Sequence, residues 1–254
     1  MIIPGNSPVL IRKVCTGIDM YQSSMDEVTS YERTSVIDGF NLGVDFLYIK
    51  GKNNLEYGLE MNGYTTDFFF VNSVGRRIQQ RENTTELGGY FRGKFIFDNW
   101  VIEPGMRVQY YASLSELSPE PRLAAKYNAS DKLRLKFATG IYAQNLISAH
   151  NPRDVVSLFY GFLSGPDNLP STFEGKEITS KLQHAQHAVV GAEYDINSRI
   201  TTNLEVYYKN FSQLTALNRN KIRDEADFPD LPDNLVKDFI VEEGSAVGGH
   251  DIEV

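Results

Sequence analysis

Hydrophobic and polar residues alternate with a period of two along most of the chain, the signature of strands with two unlike faces. In 83–97, NTTELGGYFRGKFIF, Leu87, Phe91, Phe95 and Phe97 share one face, and Glu86, Arg92 and Lys94 share the other. In 100–111, WVIEPGMRVQYY, Trp100, Ile102, Met106, Val108 and Tyr110 oppose Glu103, Arg107 and Gln109. Residues 131–144 set Leu133, Leu135, Phe137 and Ile141 against Arg134, Lys136 and Gln144, and 199–209 set Ile200, Leu204, Val206 and Tyr208 against Asn203, Glu205 and Lys209. The same alternation runs through 39–48, 55–65, 122–127 and 187–196, with weaker forms at 8–21 and near the C-terminus. About ten consecutive strands follow, with no helical segment of comparable strength between them, so the expected fold is an all-β, antiparallel up-and-down meander.

Alternation alone does not say what each face meets, because a soluble sandwich buries the same apolar face that a membrane barrel turns to lipid. Connection lengths separate the two. Tight turns are expected at 51–54, 98–99, 129–131 and 197–198, where Gly, Asn, Asp and Ser cluster. Longer connections are expected between them, at 22–33, 73–82, 115–120, 147–184 and 213–236. A strict alternation of short and long puts all short turns at one end of the sheet, as in barrels with short periplasmic turns and long external loops. Aromatic positions point the same way. Tyr48, Tyr57, Phe97, Trp100, Tyr127 and Tyr194 lie near the short turns, and Phe40, Tyr110 and Tyr208 lie further along their strands. At about 3.3 Å per residue and a tilt near 40°, the two sets bracket a band on the order of 25 Å tall. Arg92, Lys94, Arg107, Arg134, Lys136 and Lys209 would each cost roughly 2–4 kcal/mol on a lipid face near mid-bilayer, so they are assigned to the lumen.

Composition narrows the picture without fixing it. Apolar residues make up 41% and charged residues 23%, which also suits a soluble protein; 14 Tyr and 15 Phe favour pleated surfaces. A net charge of −8, with no Lys/Arg cluster, excludes a nucleic-acid partner from the expectations. The single cysteine, Cys15, leaves no internal disulfide and no Cys-rich metal site. No apolar run is long enough for a transmembrane helix, so any membrane crossing falls to strands. The N-terminus, MIIPGNSPVLIRKV, has no signal-peptide pattern, so either the protein is cytoplasmic or the export signal lies in a segment not included.

The run SPEPRLAAKYNASDKLRLKFATGIYAQNL (118–146) resembles a strand-turn-strand unit of TonB-dependent outer-membrane receptors. GAEYDINSRITTNLEVYYKNFSQL (191–214) resembles the next hairpin, and NPRDVVSLFYGFLSGPDNLPSTFEGKEI (151–178) a long external loop of some of them. The resemblance covers most of 34–214 and extends to the order of the units. It implies a barrel of about 22 strands around an N-terminal plug, located in the outer membrane and importing a scarce nutrient (a ferric siderophore, a cobalamin or an oligosaccharide) with energy from the TonB complex. The plug and the TonB-contacting segment have no counterpart in 1–254, and about ten strands do not close such a barrel. The C-terminus, GSAVGGHDIEV, lacks the terminal aromatic of a last barrel strand. The expectation is therefore a fragment: one partial barrel over 1–254, an open curved sheet with two unpaired edges, lying in outer-membrane lipid.

No GxSxG, HExxH, P-loop or GxGxxG motif occurs, and no cofactor or metal is called for. His184 and His187, three apart on a strand, point to opposite faces and do not chelate one ion. His150 and His250 have no Ser, Asp or Glu spaced for a triad. Asp224 and Glu225 sit in a stretch of mixed charge with two prolines, read as a solvated loop rather than a calcium site. Arg153, Asp154, Tyr160 and Phe162 are the candidate ligand contacts, because external loops carry recognition in such barrels; LFYGFL (158–163) reads equally as packing of the loop over the barrel mouth. A small outer-membrane hydrolase and a passive porin are the alternative functions. The first needs carboxylates and a His clustered above the membrane, and the second lacks a plug.

Overall fold

A computed structural model of the chain describes residues 9–25, 33–72, 74–148, 161–197 and 199–248. The strands are β1 (Val9–Met25), β2 (Arg33–Lys50), β3 (Asn53–Val71), β4 (Arg77–Phe97), β5 (Trp100–Tyr111), β6 (Glu116–Asn128) and β7 (Leu133–Gln144). After β7 come four short strands, β8 (Leu146–Ser148), β9 (Phe162–Ser164), β10 (Thr172–Phe173) and β11 (Lys176–Glu177). The wall resumes with β12 (Gln183–Asn197) and β13 (Ile200–Leu217), and a one-turn helix α1 (Asp233–Val236) precedes β14 (Phe239–Gly248). Ten of these strands form one antiparallel sheet in the order β1-β2-β3-β4-β5-β6-β7-β12-β13-β14. Among the described residues β1 and β14 do not pair, so the sheet is the antiparallel meander that the alternation predicts, open at both edges as expected of a partial barrel.

Register fixes the faces, because directly opposed residues share one. Leu87 is opposite Tyr110, Tyr110 opposite Leu117, Phe137 opposite Val190, and Val190 opposite Val206. This set is half exposed along the whole wall: Leu87 44%, Phe137 40%, Val190 53%, Val206 47%. All nine aromatic residues assigned to the two belts lie on this outer face, and Trp100 meets Tyr127 across the β5–β6 pair at 4.6 Å between ring centroids. The inner face carries the charges, and they pair between neighbouring strands or, for Arg107 on β5 and Glu60 on β3, across the strand between. Arg92 meets Glu56 at 2.6 Å, Arg134 meets Glu193 at 2.5 Å and Asp195 at 2.6 Å, Lys136 meets Glu193 at 2.5 Å, and Arg107 meets Glu60. Every cation assigned to the lumen from sequence stands on this face.

Turn chemistry works as expected at the short end. Gly51 takes φ +62° between β2 and β3, a left-handed conformation that glycine adopts freely, and Asp98 takes φ 46° between β4 and β5. A second glycine is needed for side-chain reach. Gly58 lies between Asp45 and Tyr90 in register, and the Tyr90 hydroxyl donates to Asp45 Oδ1 at 2.6 Å across it; a Cβ there would stand 2.7 Å from both side chains.

At the other end two connections differ from expectation. The loops expected at 73–82 and 115–120 shrink to the residues between Val71 and Arg77 and between Tyr111 and Glu116, because β4 and β6 start earlier than the hydrophobic pattern indicates. Strand pairing continues there past the apolar band: Arg77, Gln79 and Arg81 pair with Val71, Phe69 and Asp67. Above the band neither face has to be apolar, so the alternation that marks a strand fades while the backbone ladder does not. The contrast of short and long connections then rests on 145–182 and 218–238.

Candidate functional site

The two long connections turn inward over the inner face of β2–β4. Ser164, fully buried, places its hydroxyl 3.0 Å from that of Thr66 and 3.1 Å from that of Thr84. The Gln80 amide donates to the carbonyls of Ser164 and Gly165 at 3.1 and 2.8 Å. On the side of this polar clasp nearer the β3–β4 turn, Phe68, Phe70, Ile78, Ile147, Leu163 and Phe239 form one buried cluster, joining β3 and β4 to β8, β9 and β14. The second connection reaches the β3–β4 turn. Asn72 Nδ2 donates to the carbonyl of Lys221 at 2.8 Å, and Arg76 Nε to that of Ile222 at 2.9 Å. Lys221 Nζ meets Asp238 at 2.5 Å and Asp224 at 3.0 Å, and Glu225 meets Lys237 at 2.6 Å. The Asp224–Glu225 pair is thus taken up by cations, and the hydrogen bond from Lys221 holds the Asp224 carboxyl below the usual carboxylate range.

Beneath the clasp the sheet curves round a cavity of about 760 Å³, lined among others by Tyr64, Glu86, Arg107, Glu120, Arg122 and Tyr142. Its polar groups form a connected network. The Tyr64 hydroxyl donates to Glu86 Oε1 and Gln109 Nε2 to Glu86 Oε2, both at 2.5 Å, while Arg107 Nε donates to Gln109 Oε1 at 2.9 Å. Asn145 joins this network to the inward loop, with Nδ2 3.5 Å from the Tyr64 hydroxyl and Oδ1 accepting from the Gly165 N–H at 2.9 Å. Glu86 and Glu120 are 8% and 3% exposed, and buried carboxylates persist only when fully hydrogen-bonded, as both are. On the β7–β12–β13 side Tyr142, His187 and Phe211 form a ladder of rings, with centroids 4.7 and 6.3 Å apart and the Arg122 guanidinium 4.6 Å over Tyr142.

Of the four candidate ligand contacts, Arg153, Asp154 and Tyr160 lie outside the described residues, as does His150 with them. Phe162 opens β9, and its backbone is committed to the wall: its N–H donates to Ser35 Oγ at 2.9 Å and its carbonyl accepts from the same hydroxyl at 3.3 Å. The next residue, Leu163, is 1% exposed in the cluster, so this end of LFYGFL packs the loop against the wall. His187 stands opposite Gly140 on the inner face and His184 opposite Ala143 on the other, as their spacing predicts. Among the described residues no group of three or more His, Cys, Asp or Glu side chains is placed to hold a metal ion. The alternation already put Glu86, Arg107 and Gln109 on the polar face. That they converge on one cavity with Asn145 and Glu120 depends on curvature that no local pattern carries.

The strands, their faces and the open edges together define the fold as a partial outer-membrane β-barrel. It is similar to the ferric enterobactin receptor PfeA, with a TM-score of 0.54 at 11% identity, covering 85% of this chain and 34% of that one. A variant of that receptor from Pseudomonas aeruginosa, in complex with enterobactin, gives a TM-score of 0.54 at 10% identity over 91% of this chain and 38% of that one. The chain therefore spans little more than a third of the length of these receptors. No family model matches the sequence, and no curated protein matches it.

Proposed function

We propose that the chain forms part of the wall of an outer-membrane receptor that imports a scarce nutrient, a ferric siderophore, a cobalamin or an oligosaccharide, with energy delivered through TonB. The observation that carries this reading is the division of one sheet into an aromatic-belted apolar face and an ion-paired inner face that curves round a polar-lined cavity. Lipid takes the first face and the ligand path follows the second. A passive pore needs an open lumen, whereas here two connections fold inward and are clasped by Ser164, Gln80 and Asn72. In this reading 1–254 is one barrel unit, the plug and the contact with TonB belong to other segments of the receptor, and the chain itself catalyses no reaction. Arg153, Asp154, Tyr160 and Phe162, in the long connection between β7 and β12, are the proposed ligand contacts.

Uptake measurements test the reading. A strain without the gene is compared with its parent for accumulation of labelled ferric siderophores, cobalamin and oligosaccharides, with and without a protonophore. One ligand class should be lost with the gene, and the same uptake should stop when the proton gradient collapses. Unselective uptake of small solutes that a protonophore does not touch would mark a pore, and ester hydrolysis by the purified protein would mark a hydrolase.

A further inference from the structure

The ladder between β6 and β7 ends before either strand does. Its pairs run from Asn128 opposite Arg134 to Arg122 opposite Gly140. Yet β6 stays paired with β5 back to Glu116, and β7 stays paired with β12 out to Gln144. Residues 116–121 and 141–144 thus flank each other without backbone pairing, beside the cavity.

The sequence of β6 explains the gap. Continuing the register would set Pro121 opposite Ile141 and Pro119 opposite Ala143. Ala143 turns its peptide groups toward β6: its N–H donates to Glu120 Oε1 at 3.3 Å and its carbonyl accepts from the Tyr111 hydroxyl at 3.4 Å. Alternate residues of an antiparallel strand turn their peptide groups to the same neighbour, so Ile141 does likewise. Residues 119 and 121 are then the ones that would return N–H groups to β7, and both are prolines, which have none. The same correlation holds once more in the sheet. The β4–β5 pairs pass from Arg92–Gly105 to Phe95–Ile102 and skip the step that contains Pro104.

Side chains replace the missing bonds. Glu120 is 3% exposed, its second oxygen accepts from Arg122 Nη2 at 2.7 Å, and Arg122 is in turn held over the Tyr142 ring. Outside the gap the wall is apolar, with Leu117 61% and Ile141 41% exposed. An unbonded backbone group facing lipid costs several kcal/mol, which is the reason for a latch at that place. We propose that the outer half of the β6–β7 boundary is a seam sealed by side chains, with Glu120 as its latch, and that it parts laterally to widen the cavity. A regular ladder opens only by breaking consecutive backbone bonds. This boundary opens when a few side-chain contacts give way, the Glu120 and Tyr111 hydrogen bonds to Ala143 and the stacking of Arg122 on Tyr142, and Glu120 and Arg122 line the cavity where a ligand would compete for either.

Hydrogen-deuterium exchange on the full chain in lipid nanodiscs reads the seam directly. The amides of Ile141 and Ala143 should exchange faster than those of Leu135, Phe137 and Thr139, which face the intact part of the same boundary. Glu120→Ala should speed exchange at Ala143 about tenfold or more, as loss of a charge-assisted hydrogen bond gives, and leave 135–139 unchanged. Replacing Pro119 and Pro121 together by Val returns two donors, completes the ladder and should slow exchange at Ile141 and Ala143 by a similar factor. Uniform slow exchange from 133 to 144 that neither change moves would overturn the proposal. If Glu120→Ala does not assemble, the proline replacements decide alone, because they add bonds: unchanged exchange at Ile141 and Ala143 then contradicts it. The outcome is independent of whether the receptor imports anything.

Discussion

Arginine at position 190 is expected to destabilise the assembled wall by about 2–4 kcal/mol in phospholipid, whereas arginine at position 189 is expected to be tolerated. The two positions are consecutive on β12 and differ only in face. Val190 lies opposite Phe137 and Val206 on the outer face and is 53% exposed, so a guanidinium there enters the hydrocarbon away from either aromatic belt. Val189 lies opposite Ala138 on the inner face and borders a second cavity, of about 580 Å³, that also receives Glu103 and Glu205. A guanidinium there meets carboxylates and water. Urea titration of the two variants in vesicles measures the difference. A sheet whose apolar face packed a dry protein core would be damaged by the first change in detergent-free buffer as well, and a sheet in water would tolerate both.

The second large effect is local. Phe68→Ala should remove about 3–5 kcal/mol from the cluster that holds the inward loop to the wall. Phe68 is fully buried, stacks on Phe70 at 6.5 Å between centroids, and packs with Ile78 of β4, Ile147 of β8, Leu163 of β9 and Phe239 of β14. Since these contacts join loop segments to strands rather than strand to strand, the loss should appear as new protease cleavage within 161–182, with the hairpin β2–β3 still protected. Gln80→Ala should act in the same direction with a smaller effect, about 1–3 kcal/mol, because it frees two carbonyls without opening a void. Cleavage spread evenly over strands and loops would show instead that Phe68 supports the wall itself.

Much of this architecture is legible in the sequence because period-two patterning is a local property. Leu87, Phe91 and Phe97 against Glu86, Arg92 and Lys94 already give the two faces, and the register in the sheet assigns them the same way. Belt aromatics such as Trp100 and Tyr127 are legible for the same reason. Strand ends above the apolar band are not, since 77–82 and 116–121 lose the contrast between faces while keeping their backbone bonds. Nor is the inward fold of the long connections. Ser164 reaches Thr66 across 98 residues of chain and Asn72 reaches Lys221 across 149, and single polar residues at such separations carry no periodic signal. Pro119 and Pro121 are visible in the sequence, but their consequence, a carboxylate standing in for a ladder, emerges only when β7 is set beside them.

Trp100 offers the most direct test of the central claim that the apolar face of this sheet meets lipid. It is the single tryptophan among the 254 residues, lies on the outer face beside the short β4–β5 turn, and is 46% exposed against Tyr127. In vesicles its emission should be blue-shifted and quenched by lipids brominated near the headgroup end of the acyl chain more strongly than by lipids brominated at the chain terminus, the depth at which interfacial aromatics sit. Emission at the wavelength of a water-exposed indole, or emission that no brominated lipid quenches, would contradict it.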